Sequence, residues 1–532
     1  MSRSQHVAAP PRADALLHGT TTCALLFLPA LICFFRDVVD DPDVWWHLRT
    51  GEWILTHRAW PTADPFSSYG AGQAWAAYSW LPELMLWGLY QVLGLRGLVL
   101  YTAGLSVAIV AALHGMVRRM GTGTNTAVVL TLAAALGLIT IQTPRPWLFS
   151  ILLFVLELDL LLTAGRTGSR RLLWWLVPLF LVWANMHIQF VVGLAVLGAA
   201  VIEPVLARFV PLGMADEQSP KTPFGHMLPV FAACVAATLV NPYGYHLYEV
   251  ALALVGQSGL WNLIQELGPM RFRSVENWTV LAVTVAAAFA LGWRRRVRLL
   301  LALLFVMAVY VSFRSQRDVW LVLIAGLTVL AYVGPRAAEK EKGDRSNSCE
   351  APFGPSRQIG PAPFFRRRSL NWVVAGTVAL LVVGGSLALS ESKLKSQVAR
   401  ALPVQAARFI AEEQPAGPMF NPFDWGGYLI FHLPEVPVSI DGRTMVHGEA
   451  RILRHAATLR GKGGWRDDPE LSRAGFVLLP GDGALASLLE IDDRFRVLYR
   501  DPLAVVFSRE TNLPLAEKPN HTQLAQTRDT AE

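Results

Sequence analysis

Charge is scarce in this chain of 532 residues. Charged residues make up 16% and hydrophobic residues 53%, whereas a soluble protein carries about a quarter charged residues. An ordinary soluble globule is thereby excluded. Cysteine is scarcer still. The four cysteines, Cys23, Cys33, Cys234 and Cys349, show no paired spacing, and three lie in apolar runs. Neither a disulfide framework nor a zinc site is indicated. No internal repeat stands out, so an inverted-repeat transporter has little support. The net charge of +7 does not point to nucleic acid. The basic residues sit in short clusters between apolar runs, which is a topology signal rather than a binding face.

Apolar sequence and tryptophan are abundant. The 18 tryptophans suit a protein with much membrane–water interface. A membrane helix needs about 20 apolar residues. Candidate spans run over 17–36, 97–117, 125–142, 147–164, 172–187, 189–207, 227–241, 275–293, 298–313, 318–334 and 371–390. The first is not read as a cleaved signal peptide, because no small-x-small site is followed by a soluble domain. Basic clusters at Arg118–Arg119, Arg166 with Arg170–Arg171, Arg208 with Lys221, Arg294–Arg296 with Arg298, and Arg336 through Arg368 fall in alternate loops. Those loops are expected in the cytoplasm. The N-terminus is then inside and the C-terminus outside, as in a multi-pass protein of the cytoplasmic (inner) membrane. Residues 76–95, with Pro82 and Glu83, read as an amphipathic helix on the outer surface.

The expected organisation follows. Residues 1–16 form a cytoplasmic tail and 17–390 a membrane domain of about 11 helices, all α. An outer loop covers 37–96, and a polar linker rich in Gly, Pro and Ser covers 335–370. Residues 391–511 alternate strand-like pieces ("GYLIFHL", "VPVSI", "GFVLLP", "FRVLYR", "LAVVFS") with helix-like ones ("SQVARALPVQAARFIAEE", "DGALASLLEI"). They predict a small extracytoplasmic α/β domain. The tail at 512–532 reads as disordered.

Ionisable groups gather at the outer ends of the spans. Directly after the first span, "DDPDVWWHLRTGEW" packs Asp40, Asp41, Asp43, His47 and Glu52 into a short stretch. Arg145 in "TPRPWLFS", Asn185 and His187 in "WANMHIQF", Asn241 and Tyr243 in "NPYGYH", Glu266, Arg271 and Arg273, and Arg314 and Arg317 in "SFRSQRD" fall on the same side. Polar groups there are costly unless they pair or serve a site. Arginine's fork suits phosphate, so Arg145, Arg271, Arg273, Arg314 and Arg317 are candidate phosphate clamps, with His187 beside them. A carboxylate facing an acceptor hydroxyl acts as general base. Two carboxylates one residue apart, Asp41 and Asp43, also have the spacing to hold a divalent metal, magnesium or manganese, against a leaving phosphate. Trp45 and Trp46 read as interfacial anchors. His432 and His447 lack metal-ligand spacing and read as structural.

This layout resembles the glycosyltransferase C superfamily, polytopic enzymes that use polyprenyl-phosphate sugars on the outer membrane face. "DDPDVWWHLRTGEWILTHRAWPTADPFS" and "YSWLPELMLWGLY" match its acidic first outer loop and surface helices. The stretch is similar to bacterial membrane proteins of the mannosyltransferase-like type. The resemblance implies Asp41 or Asp43 as the catalytic acid residue. "FDWGGYLIFHLPEVPVSIDGRTMVHG" (423–448) is similar in shape to the "WWDYG" region of oligosaccharyltransferases, which also runs on to a DG pair. It lacks the paired tryptophans and has an extra glycine. That likeness adds Asp424, Tyr428, Asp441 and Arg443 as substrate-binding candidates. The implied partners are membrane lipid, a polyprenyl-phosphate-linked sugar donor and a glycan, lipid or protein acceptor. The competing readings are a lipid-linked glycan flippase or export subunit and a non-catalytic envelope assembly protein.

Overall fold

The computed structural model describes residues 12–207, 209, 224–293, 298–334 and 368–510. The first residues of the N-terminal tail, Arg208 with Lys221, Arg294–Arg296, nearly all of the 335–370 linker with Cys349, and the tail from 512 lie outside the described residues.

Each of the eleven apolar runs contains a helix. They are Arg12–Phe35, Leu95–Arg119, Thr124–Gly137, Trp147–Thr167, Leu176–Met186, Phe190–Leu206, Phe224–Thr238, Val275–Trp293, Leu299–Arg314, Val319–Val333 and Arg368–Ala388. Five helical segments among the described residues are long and apolar enough to cross a bilayer: Leu95–Arg119, Trp147–Thr167, Val275–Trp293, Gln316–Val333 and Asn371–Ala388. Leu176–Met186 has 11 residues and reaches only about 16 Å at 1.5 Å per residue. Away from the acidic loop, two ion pairs lie inside the bundle, while the buried Glu157 has no hydrogen-bond partner among the described residues. Arg298 meets Glu203 at 2.8 Å with both side chains 5% exposed, and Arg119 meets Asp159 at 2.5 Å.

The chain after the first helix is more regular than a loop. Val44–His57 is a helix of 14 residues, and Trp80–Leu93 is another. Each reaches about 21 Å, short of a bilayer's apolar core. They pack at very close range, because a Cβ on Gly51 would collide with the Glu83 carbonyl. Gly94 then turns the chain into Leu95–Arg119 with φ +60°, a conformation that glycine adopts without a Cβ penalty.

The C-terminal part is α/β, as its alternating pieces predict. Its strands are β1 (Met419–Phe420), β2 (Phe476–Pro480), β3 (Phe495–Arg500) and β4 (Ala504–Arg509). The sheet order is β1-β2-β4-β3, with β1 parallel to β2 and the other pairs antiparallel. Alternate side chains face opposite sides. Phe476 and Leu478 of β2 join the large core shared with the helical bundle, whereas Val477 and Leu479 join a smaller core with Phe420, Trp465 and Phe507. The sheet is thus anchored on the membrane domain rather than tethered beside it.

Three expectations fail here. "GYLIFHL" is not a strand: it belongs to the helix Phe423–His432. Trp425, Tyr428, Leu429 and His432 recur at helical spacing, and the two glycines serve close packing rather than extension. "VPVSI" forms no strand, only a single parallel bridge between Val438 and Ser67. The helix expected over 396–413 breaks into Glu391–Ala401 and Val404–Glu413. Pro403 has no N–H to donate, and it drives Leu402 out of the helical region, to φ −120° and ψ 150°.

Candidate active site

The site starts from a turn. The Asp43 backbone N–H donates to Asp41 Oδ1 at 2.9 Å, which fixes the chain at the entry to Val44–His57. Asp43 occupies the N-cap position, yet its side chain makes no cap hydrogen bond. It reaches instead across to Arg145, whose Nη1 lies 2.9 Å from Asp43 Oδ2. Arg145 Nε donates to Asp41 Oδ2 at 2.6 Å. Glu266, from the short turn Gln265–Leu267, takes the same Nη1 at 3.1 Å. Arg317 Nη1 lies 3.8 Å from the other Glu266 oxygen. Both guanidiniums stack over Trp147, at 4.7 Å for Arg145 and 5.1 Å for Arg317. The structure therefore brings Asp41, Asp43, Arg145, Glu266 and Arg317 together from segments remote in sequence.

Exposure divides this set. Asp41 is sealed at 3%, whereas Asp43 keeps 21%, Arg317 30% and Glu266 31% of its side chain exposed. Burial raises the Asp43 carboxyl to about 6; Arg145 opposes the rise, and the charges of Asp41 and Glu266 add to it.

The C-terminal part closes over the acidic turn. A Cβ on Gly427 would lie 2.5 Å from the Pro42 carbonyl oxygen, and one on Gly442 would collide with Asp43 Oδ1. A Cβ on Gly426 would likewise hit the backbone of Ile440 and Asp441. The extra glycine of "DWGGY" thus seats the helix Phe423–His432 directly on Pro42, and the DG pair presses on Asp43. Trp45 and Trp46 complete the joint. Neither is an interfacial anchor, with exposures of 2% and 6%. Trp45 packs edge-on against Tyr428 at 5.2 Å and against Phe431 at 5.4 Å. Such ring pairs add about 0.5–1.5 kcal/mol beyond area burial.

The remaining candidates fall in several places. Asp424 keeps an exposed side chain, yet its carboxyl is raised first by loss of surrounding water and then by the charge of Glu266, with Arg145 opposing. Arg314 stacks on Trp261 at 3.4 Å and donates to Tyr310 Oη at 2.9 Å. Arg271 and Arg273 are exposed, and Asn277 caps the Arg271 carbonyl. His187 is buried, with Nδ1 2.9 Å from Ser150 Oγ. It is packed against Ser150 and Tyr78 rather than open to a ligand.

Asp441 and Arg443 belong to a different assembly. Arg443 Nη1 meets Asp64 Oδ1 at 2.6 Å, and its Nε and Nη2 each donate to Asp441 at 2.8 Å. His447 Nε2 lies 2.9 Å from Asp441 Oδ2, and Arg451 Nη1 lies 2.7 Å from His447 Nδ1. The Asp64, Asp441 and His447 side chains are 0% exposed and Arg443 is 2% exposed. Burial alone would push Asp441 up, but Arg443 and His447 hold it far below the ordinary carboxylate range. In place of an open binding surface, these residues form a clamp between the outer loop and the C-terminal part. Sequence reading missed Asp64 and Glu83. Glu83 Oε1 lies 2.9 Å from His47 Nδ1 in a pair buried behind the site. "TADPFSS" carries Asp64 in a turn where it holds the Phe66 and Ser67 N–H groups, a weak signal that a buried arginine would be needed elsewhere.

The paired acids do not fit a metal as they stand. Among the described residues no group of three His, Cys, Asp or Glu side chains is placed to hold one, and the oxygens facing inward at Asp41, Asp43 and Glu266 already accept from Arg145.

Oligosaccharyltransferase AglB from Archaeoglobus fulgidus, solved with an inhibitory peptide and a dolichol-phosphate, superposes on this chain with a TM-score of 0.53. The identity is 11%, over 88% of this chain and 70% of that one. The chain shares the fold of that oligosaccharyltransferase. ArnT from Cupriavidus metallidurans, bound to undecaprenyl phosphate, matches at a TM-score of 0.47 and 15% identity, over 95% of this chain and 100% of that one. No family model matches the sequence, and no curated protein matches it. The family resemblance read from the acidic loop thus holds at the level of fold.

Proposed function

We propose that this protein is a membrane glycosyltransferase. It moves a sugar from a polyprenyl-phosphate donor to an acceptor at the outer face of the cytoplasmic membrane. The observation that carries this reading is the half-open carboxylate of Asp43. It lies between a buried arginine and the DG loop, in a fold shared with an oligosaccharyltransferase that binds dolichol-phosphate.

The chemistry follows from who is free to react. Asp43 takes the proton of the acceptor hydroxyl, which its value of about 6 suits at neutral pH. The acceptor oxygen forms a bond to the anomeric carbon as the bond from that carbon to the phosphate oxygen breaks. The departing polyprenyl phosphate keeps the electron pair, and Arg317 faces it as hydrogen-bond donor. Arg317 suits this better than Arg145, because its single carboxylate contact is long and the side chain is accessible. Asp41 positions Asp43 through the turn and through Arg145. Arg271, Arg273 and Arg314 are exposed and would meet headgroups or the donor's approach. Asp424 borders the acceptor side, and Tyr428 supports it by packing on Trp45.

The test is transfer of radiolabelled sugar from polyprenyl-phosphate donors in membranes containing the full chain. Wild-type membranes should give a labelled acceptor that Asp43→Asn membranes do not. Equal labelling by both would sink the reading.

A further inference from the structure

The interior of the acidic turn already contains a cation. Asp41 Oδ2, Asp43 Oδ2 and both Glu266 oxygens approach one guanidinium, at 2.6, 2.9, 3.1 and 3.2 Å. The remaining Asp41 oxygen accepts the Asp43 N–H. A divalent ion bridging such carboxylates needs oxygens at about 2.0–2.6 Å. Those oxygens already face the nitrogens of Arg145, so an ion shared by these carboxylates would have to displace the guanidinium.

Arg145 is not built to step aside. Pro144 and Pro146 restrict the backbone on either side of it. Its carbonyl accepts from Tyr101 Oη at 3.4 Å, its guanidinium stacks on Trp147, and the side chain is 12% exposed. A planar fork held this way meets several carboxylates at once and remains charged at every working pH.

We propose that Arg145 is the built-in cation of this site, in the position a divalent metal would otherwise occupy between the paired carboxylates. The proposal rests on the glycosyltransferase reading for its consequence, which is that transfer needs no divalent ion. The charge that screens Asp41 from Asp43, and both from an incoming phosphate, comes from the chain itself. Losing Arg145 should turn the cluster into a metal site, because Asp41, Asp43 and Glu266 would then face one another uncompensated.

Manganese titration of the purified full chain, followed by the paramagnetic resonance of free Mn²⁺, tests the cation assignment without reference to activity. Wild-type protein should bind no Mn²⁺ at this cluster tighter than about 10⁻³ M, the weak end of carboxylate sites. Arg145→Ala should gain a site at least about tenfold tighter, and Arg145→Ala with Glu266→Gln should lose that gain. Should Arg145→Ala fail to fold, Arg145→Gln serves: it removes the charge but keeps hydrogen-bonding bulk, and should bind Mn²⁺ more tightly than wild type, whereas a folded Arg145→Gln with no gained site would overturn the assignment. Tight binding by wild type that Asp43→Asn removes would overturn the proposal. The activity arm is separate. Transfer should survive exhaustive chelation, and transfer abolished by chelator and restored by Mg²⁺ or Mn²⁺ would overturn it too. If no transfer occurs under any condition, the function reading fails while the manganese result still decides the cation.

Discussion

Two arginine–carboxylate clusters lie on either side of the DG loop, and they behave oppositely. One joins Asp64, Arg443, Asp441 and His447. It is closed, with the Arg443 donors matched to carboxylate oxygens and the exposures at or near zero. The other joins Asp41, Asp43, Arg145, Glu266 and Arg317. It is acidic in excess and partly open. The same residue types therefore do different work according to completeness. A satisfied buried network fixes geometry, while a network whose carboxylate side chains are partly exposed keeps chemistry available. Gly442 links the two: its neighbours in sequence belong to the clamp, while its own missing side chain makes room for Asp43.

The largest effect should come from breaking the clamp. Arg443→Ala leaves Asp64 and Asp441 buried without their cation, a loss of about 3–5 kcal/mol for a broken buried pair. Thermal unfolding in detergent should show a clearly lower midpoint and reduced yield. An unchanged midpoint would mean that the clamp does not hold the C-terminal part on the loop.

Asp43→Asn should do the converse. A partly exposed side chain contributes little stability, so the unfolding midpoint should move little. Transfer should fall about a hundredfold or more, as expected for a lost general base. A variant that melts early but transfers normally would merge the two clusters into one structural unit.

Gly442→Ala sharpens the comparison between them. The added methyl collides with Asp43 Oδ1, so it must shift either the loop or the carboxylate. The clamp is the stiffer side, and the carboxylate should yield. A displaced reacting group costs up to about a hundredfold; here a loss of roughly tenfold in kcat with little change in the midpoint is expected. A lowered midpoint with normal kcat would show that the clamp had yielded instead.

How much of this the sequence disclosed depends on the range of each interaction. The apolar runs encode helices locally, and each of the eleven contains one. The α/β character of the C-terminal part is visible in "GFVLLP", "FRVLYR" and "LAVVFS", which are strands. The number of crossings is a different matter, since it depends on how far short helices such as Leu176–Met186 reach. The acidic turn and Arg145 could be marked as candidates because polar groups are conspicuous at the ends of apolar runs. Their pairing could not: Asp41 and Arg145 are 104 positions apart, and Asp64 and Arg443 are 379 apart. For the same reason Asp441 and Arg443 read as free ligands flanking Gly442. Trp45 and Trp46 looked interfacial because nothing local announces the helix that covers them.

The smallest effect is also the one that separates the clusters by titration. Asp441 is held far below the ordinary carboxylate range by Arg443 and His447, against the push of its burial. Its folded value is depressed, so its stabilisation is in place above the unfolded value near 4 and disappears only as pH falls through the folded one. Between pH 5 and 8 Asp441 should add no slope to stability. Asp43 has the opposite sign. Its folded value of about 6 lies above the unfolded one, so the folded state binds the extra proton. The stability due to this group is greatest below pH 4 and declines as pH rises through 6. Activity runs the other way, because the base must be ionised. Relative to its plateau, kcat/KM should be about halved near pH 6 and fall about tenfold per further unit of acid. Conservative replacement of Glu266 by Gln removes one of the charges that raise Asp43, and should move that limb to lower pH while leaving the plateau largely in place. A limb unmoved in Glu266→Gln would mean that the titrating group lies outside the Arg145 cluster.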